Sequence, residues 1–78
     1  MAKLTDPEII QALKDGKGIA NSLIKDGWRI CYNQDLSIFY QETLWDNAGW
    51  NPVRYYTITI KDIEADDWQI VPDETSTT

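Results

Sequence analysis

The stretch that most constrains the fold is residues 28–42, where the chain alternates with period two. Trp28, Ile30 and Tyr32 fall on one side and Arg29, Cys31 and Asn33 on the other. Leu36, Ile38 and Tyr40 then resume the pattern beyond Asn33-Gln34-Asp35. Period-two patterning is the signature of a strand with two unlike faces, and Asn and Asp favour tight turns because their side chains bond the nearby backbone. Residues 28–42 are therefore expected to form an antiparallel hairpin.

The segments before it supply a helix and a further strand. Thr5 or Asp6 is placed to cap a helix, Pro7 suits its opening position, and Thr5 with Glu8 has the spacing of a capping box. Ile9, Ile10, Ala12 and Leu13 make an apolar stripe with Gln11, Lys14 and Asp15 outside it, and Gly16 supplies the stop. A helix of about nine or ten residues is marginal alone in water, so it must dock on the sheet. Gly16 and Gly18 match neither a phosphate loop nor a dinucleotide fingerprint, and no strand precedes them. Lys17 to Ala20 is expected as a short edge strand. Leu23 and Ile24 form a brief apolar anchor ahead of the Lys25-Asp26-Gly27 turn.

Beyond the hairpin, Trp45 and Trp50 flank the turn-forming run Asp46-Asn47-Ala48-Gly49, and Asn51-Pro52 adds a second stop, so residues 44–52 are expected as a loop. Two indoles on a loop are costly to leave in water, so they fold back onto the core or cover something else. Residues 54–58 alternate again as a strand. Thr59 can then cap a short helix by accepting from the N–H of Asp62, and Asp66-Asp67 ends that helix ahead of a closing strand led by Trp68. Asp62, Glu64, Asp66 and Asp67 are expected to sit at a solvated helix end, although their oxygens offer an alternative as ligands for a hard cation. Residues 1–71 form a single α+β domain: a small antiparallel sheet, the N-terminal helix packed on it, and a short helix before the last strand. Residues 72–78 are expected to be a disordered polar tail.

Seventy-eight residues leave a thin stability margin unless the chain is stapled or associates. The single cysteine, Cys31, cannot close an intrachain disulfide, which points to a reducing interior and makes oligomerisation the leading remedy. Four Trp and four Tyr exceed what so small a core needs, so some are expected at a subunit interface or a ligand surface. A net charge of -6 argues against a general affinity for nucleic acid or anionic membrane. With no apolar run of membrane-spanning length and no signal-like opening, the expected location is the cytoplasm.

Catalysis is poorly supplied. The chain has no histidine, the commonest general acid or base, and no serine or cysteine stands in a nucleophile motif. Arg29 beside Cys31 is able to lower the thiol pKa, but a half-buried structural cysteine is the simpler reading. Binding is better supplied: arginine forks grip phosphate or carboxylate oxygens in pairs, and Trp and Tyr faces stack on bases.

Three segments carry a family resemblance: ALKDGK at residues 12–17, GWNP at 49–52 and, above all, TIKDIEADDWQIV at 59–71. They resemble a widespread family of small phage and prophage proteins, long labelled only as a domain of unknown function, that includes the Thoeris anti-defence sponge proteins. The resemblance runs over most of residues 8–71. It implies a homo-oligomer, dimer or tetramer, that traps a cyclic nucleotide signal of a bacterial immune system in the infected cell, without cleaving it and without a cofactor or metal. The ligand would be a cyclic ADP-ribose isomer or a cyclic dinucleotide. Resemblance and residue chemistry together put forward Trp28, Trp50 and Tyr55 for stacking and Arg29, Arg54 and Asn51 for polar grip, in a pocket between subunits. The alternative is an acidic phage protein that inhibits a defence nuclease or CRISPR effector directly, its carboxylates imitating DNA phosphates.

Overall fold

The computed structural model describes residues 2–45 and 49–71. The turn expected within 46–48 and the tail at 72–78 lie outside the described residues. The elements run α1 (Pro7–Lys14), β1 (Gly18–Ala20), β2 (Trp28–Asn33), β3 (Ile38–Trp45), β4 (Gly49–Tyr55), α2 (Ile60–Glu64) and β5 (Gln69–Val71). The strands form one five-stranded sheet in the order β4-β3-β2-β1-β5, and every neighbouring pair is antiparallel. The class is α+β, with α1 packed on the sheet and a short helix before the last strand, as the pattern of elements predicts.

Local chemistry accounts for the ends of α1. Asp6 is the N-cap, but its carboxylate accepts from the backbone N–H of Lys3 at 3.0 Å and makes no cap bond to the helix. The Thr5–Glu8 capping box does not form, because the helix starts one residue later than that box requires. At the other end Gly16 takes φ 83°, Lys17 N donates to Ala12 O at 2.9 Å and Gly16 N to Leu13 O at 3.1 Å. This pair of bonds satisfies two of the last free carbonyls, and the left-handed turn it needs is one that glycine adopts without steric cost.

Three expectations about the strands are corrected. The segment expected as an edge strand, β1, lies inside the sheet: Ile19 pairs with Ile30 of β2 on one side and Ile70 of β5 on the other. The closing strand returns along the free side of β1, which takes Ile19 fully out of water. The segment expected as a loop at 44–52 is largely a second hairpin, since β3 continues to Trp45 and β4 begins at Gly49. Asn51-Pro52 does not stop the strand because β4 is an edge, where a proline has no ladder partner to deprive on its outer side. The register shifts there: Gln41 pairs with Arg54 and Glu42 with Pro52, leaving Val53 as the extra residue of a bulge. β4 ends at Tyr55, and the residues expected to continue it to 58 leave the sheet after Tyr56 N bonds Phe39 O at 3.0 Å.

The apolar core lies between α1 and the sheet, where Ile9 and Leu13 meet Ile19, Ile30 and Trp68. Burying each such side chain contributes on the order of 1.5–3 kcal/mol. Trp68 also anchors α2, its Nε1–H donating to Asp62 O at 2.9 Å. Thr59 caps that helix as expected, in a complete capping box with Asp62. Asp62 itself corrects the expectation of a solvated helix end. It is 2% exposed, and its Oδ2 accepts from Tyr56 Oη at 2.8 Å, Thr59 N at 3.0 Å and Thr59 Oγ1 at 3.0 Å. No described helix is long and apolar enough to cross a membrane.

Candidate functional site

Pairing puts residues opposite one another on the same face, so the register sorts the candidate residues. Ile30, Gln41 and Arg54 stand in line, flanked by the line of Trp28, Thr43 and Asn51; these point to the α1 side. Arg29, Glu42 and Pro52 stand in line with Cys31, Tyr40 and Tyr55, and with Leu44 and Trp50, on the other side. The six residues put forward from sequence therefore divide between the two faces, Trp28, Asn51 and Arg54 on one and Arg29, Trp50 and Tyr55 on the other.

Each face carries one arginine against one indole, and the two arrangements differ in kind. On the face away from α1, Arg29 Cζ lies 4.5 Å from the Trp50 ring centroid. Arg29 Nη2 sits 2.6 Å from Glu42 Oε1 and its Nε donates to the same oxygen at 2.7 Å. Arg29 and Glu42 are 6% and 8% exposed. The Cys31 thiol also donates to Glu42 Oε1, at 3.3 Å, and burial pushes its pKa up to about 12; Arg29 opposes the rise and Glu42 adds to it. Tyr40 next to it is likewise raised, chiefly by burial. The aliphatic stem of Arg29 lies directly over Gly18, where a Cβ would collide with its Cγ and Cδ. Arg29 is thus a dehydrated charge already committed to a carboxylate, and Trp50 is its cover.

On the α1 face, Arg54 Cζ lies 5.7 Å from the Trp28 centroid and its Nε donates to Gln41 Oε1 at 2.7 Å. No described carboxylate lies at ion-pair distance from Arg54. The guanidinium is thus engaged by an amide oxygen through Nε and lies beside an aromatic ring. Arg54 borders the open groove beside Tyr40 and Tyr55 and also lines a cavity of about 360 Å³ with Lys25, Trp28, Tyr56, Thr59 and Lys61, among others. Three of the seven basic residues of an acidic chain line this one depression.

At its floor, Tyr56 and Asp62 form a closed hydrogen-bonded unit. Burial works to raise the Asp62 pKa, but the Thr59 N–H, the Tyr56 hydroxyl and the Thr59 hydroxyl outweigh it and hold the carboxyl below its usual range. Tyr56 is pushed up to about 12 by burial and by its bond to Asp62. The Asp62 charge is thereby turned inward. Asp67 is held down by the Ser22 side chain and N–H, the latter 2.9 Å away. Among the described residues no group of three or more carboxylate, thiol or imidazole side chains gathers to hold a metal.

The remaining candidates are less engaged with the cavity. Asn51 spends its amide on Gly49 O at 3.0 Å, within its own hairpin end. Tyr55 is 75% exposed on the opposite face. Sequence reasoning missed Gln41, Lys25 and Lys61; the signal that would have found Gln41 is its place opposite Arg54, which only the bulged register supplies.

Comparison with protein-family models, with curated proteins and with solved structures found no match to this chain.

Proposed function

We propose that the protein binds an anionic cyclic nucleotide in the Arg54–Trp28 cavity and holds it intact, acting as a sponge for an immune signal of the host cell of a phage. The observation that carries the reading is Arg54: a guanidinium preset by Gln41 and Trp28, without an ion-pair partner among the described residues, flanked by Lys25 and Lys61. A fork of N–H donors plus two ammonium groups suits phosphate oxygens, and the Trp28 ring offers a flat neighbour for a base. A volume of about 360 Å³ lies at the low end for ligand pockets and suits part of a cyclic dinucleotide or of a cyclic ADP-ribose isomer. The resemblance of residues 59–71 to the sponge family supports the same class of ligand. Arg29 and Trp50 serve this reading indirectly, by fixing the sheet that carries Gln41 and Arg54.

The test is to incubate the protein with a panel of cyclic dinucleotides and cyclic ADP-ribose isomers, remove free ligand, denature by heat and chromatograph what is released. Recovery of unaltered nucleotide from the wild type, and loss of at least about tenfold in calorimetric affinity for Arg54→Ala, is the expected result. Altered nucleotide would mean an enzyme, and no binding across the panel would remove the reading.

A further inference from the structure

Helix α1 packs on β1, β2 and β5, and Tyr56 and Trp68, which belong to the same core, bring α2 to that side of the sheet. Ile19 faces this core, so Ala20 and its partner Gln69 face away from it, as do Leu44 and Trp50. These four residues stand at one end of the sheet, beside the connection from β1 to β2. With Asn21, Trp28 and others they line a cavity of about 410 Å³. It is a different cavity from the one at Arg54, although Ile24, Lys25 and Trp28 border both.

Two buried side-chain nitrogens among the described residues have no hydrogen-bond partner, Asn21 Nδ2 and Trp50 Nε1. Both belong to residues that line this cavity. Buried polar groups are nearly always paired, and an indole N–H taken out of water ordinarily finds an acceptor. Asn21 is 6% exposed, and its Oδ1 already accepts from the N–H of Leu23 at 2.9 Å. Its amide also helps to hold the Asp62 carboxyl down without reaching hydrogen-bond geometry, so the larger unmet demand is at Trp50.

We propose that this cavity binds a neutral planar heterocycle bearing carbonyl or ring-nitrogen acceptors, with the Trp50 N–H as its main donor. Charge and hydrogen bonding select that class together. The charged residues around the cavity are Lys25, Asp26 and Asp67, one positive and two negative, so an anion gains nothing by entering. Asp67 keeps its charge because the Ser22 side chain and N–H hold its pKa down. A cation is disfavoured in turn, because the unpaired groups are donors and the Trp50 ring already carries Arg29, 4.5 Å from its centroid. An uncharged acceptor remains, and two indoles with Ile24 and Leu44 make walls suited to a flat one. The volume lies at the low end for ligand pockets, which suits a compact ring system.

Neutral nucleosides and nicotinamide, none of which carries a phosphate, are the probes, so the outcome does not depend on the Arg54 reading. Indole N–H resonances of the isotope-labelled full chain are followed during titration, and that of Trp50 is identified by its loss in Trp50→Phe. A saturable downfield shift of this resonance by at least one probe, with a dissociation constant below about 1 mM, is expected. Leu44→Trp fills the cavity from a partly exposed position, and Trp50→Phe keeps a ring over Arg29 while removing the N–H. Each should weaken calorimetric affinity for that probe at least about tenfold, and the other indole resonances show that each variant is folded. No shift with any probe, or an affinity that both variants leave intact, overturns the proposal. A shift produced equally by inorganic phosphate overturns the ligand class. A water that still contacts the Trp50 N–H at saturating probe overturns the proposal too, since it would mean an ordered water only.

Discussion

Arg29 and Glu42 stand directly opposite each other across β2 and β3, joined by a 2.6 Å ion pair that is almost wholly out of water on the face that neither helix covers. Dehydrating two charges is expensive, and their attraction compensates only while both are present. Glu42→Ala removes the carboxylate that the Arg29 guanidinium and the Cys31 thiol share. It should destabilise the protein by about 3 kcal/mol or more, read as a lower urea midpoint with the slope unchanged.

Gly18→Ala should also destabilise, through the same arginine. Gly18 has no need of a positive φ; what it provides is room, because the stem of Arg29 occupies the place where a Cβ would stand. Arg29 cannot swing away without leaving Glu42 and Trp50, so a cost of about 1–3 kcal/mol is expected, as for other overpacked sites. In an Arg29→Ala, Glu42→Ala background most of that cost should vanish, and a double-mutant cycle in chemical denaturation measures the difference.

The Tyr56–Asp62 unit contributes to the pH dependence of stability at both ends, beside Cys31 and Tyr40 on the alkaline side and Asp67 on the acid side. The folded Asp62 pKa lies below its ordinary 3.8, so its contribution is complete above that value and is lost as pH falls through the folded pKa. Tyr56 is raised from 10.0 to about 12, so its contribution is complete below pH 10 and is lost as pH rises towards about 12. Thermal midpoints against pH should fall at both extremes. Tyr56→Phe should make the alkaline limb shallower while leaving the part due to Cys31, and should also weaken the acid limb by removing a donor to Asp62.

Cys31 should resist alkylation in the native state. The thiolate is the reactive form, and here the thiol is 2% exposed and pushed up to about 12. Labelling by iodoacetamide near pH 8 should be negligible until denaturant is added and complete afterwards. Glu42→Ala should give intermediate labelling in native buffer by opening the site.

Much of the fold was legible because its elements rest on local chemistry: the α1 stripe with its Gly16 stop, the Thr59 cap, the period-two run through β2, and Trp68 as an anchor. What escaped was register. The turn expected at Asn33-Gln34-Asp35 would set Arg29 opposite Phe39. The strands actually close around residues 34–37, with Ser37 at φ 56°, and Arg29 meets Glu42. A shift of that size turns an arginine free to grip phosphate into one buried against a carboxylate. The bulge at Val53 was hidden for a like reason, since an extra residue leaves no mark on the alternation of a single strand. Trp28 and Arg54 were identified as chemistry, but their approach on one face, and their separation from Arg29 and Trp50, depends on both register facts. Asp62 was misplaced because an acid in the first turn of a helix reads as exposed, whereas Tyr56 and Thr59 together satisfy it in the interior.

The position of β5 beside β1 has a consequence for how the chain acquires its shape. The meander β2-β3-β4 pairs neighbours in sequence, while Ile19 waits for Ile70, and the groove that receives Ile9 and Leu13 is completed by Trp68. Contacts between distant parts of a chain carry the larger closure cost and form later. During synthesis α1 leaves the ribosome first and finds its seat last, so amides of β2 and β3 should gain exchange protection ahead of those of α1 and β1. A nascent chain arrested before Trp68 would hold a hairpin pair with an apolar helix still unattached.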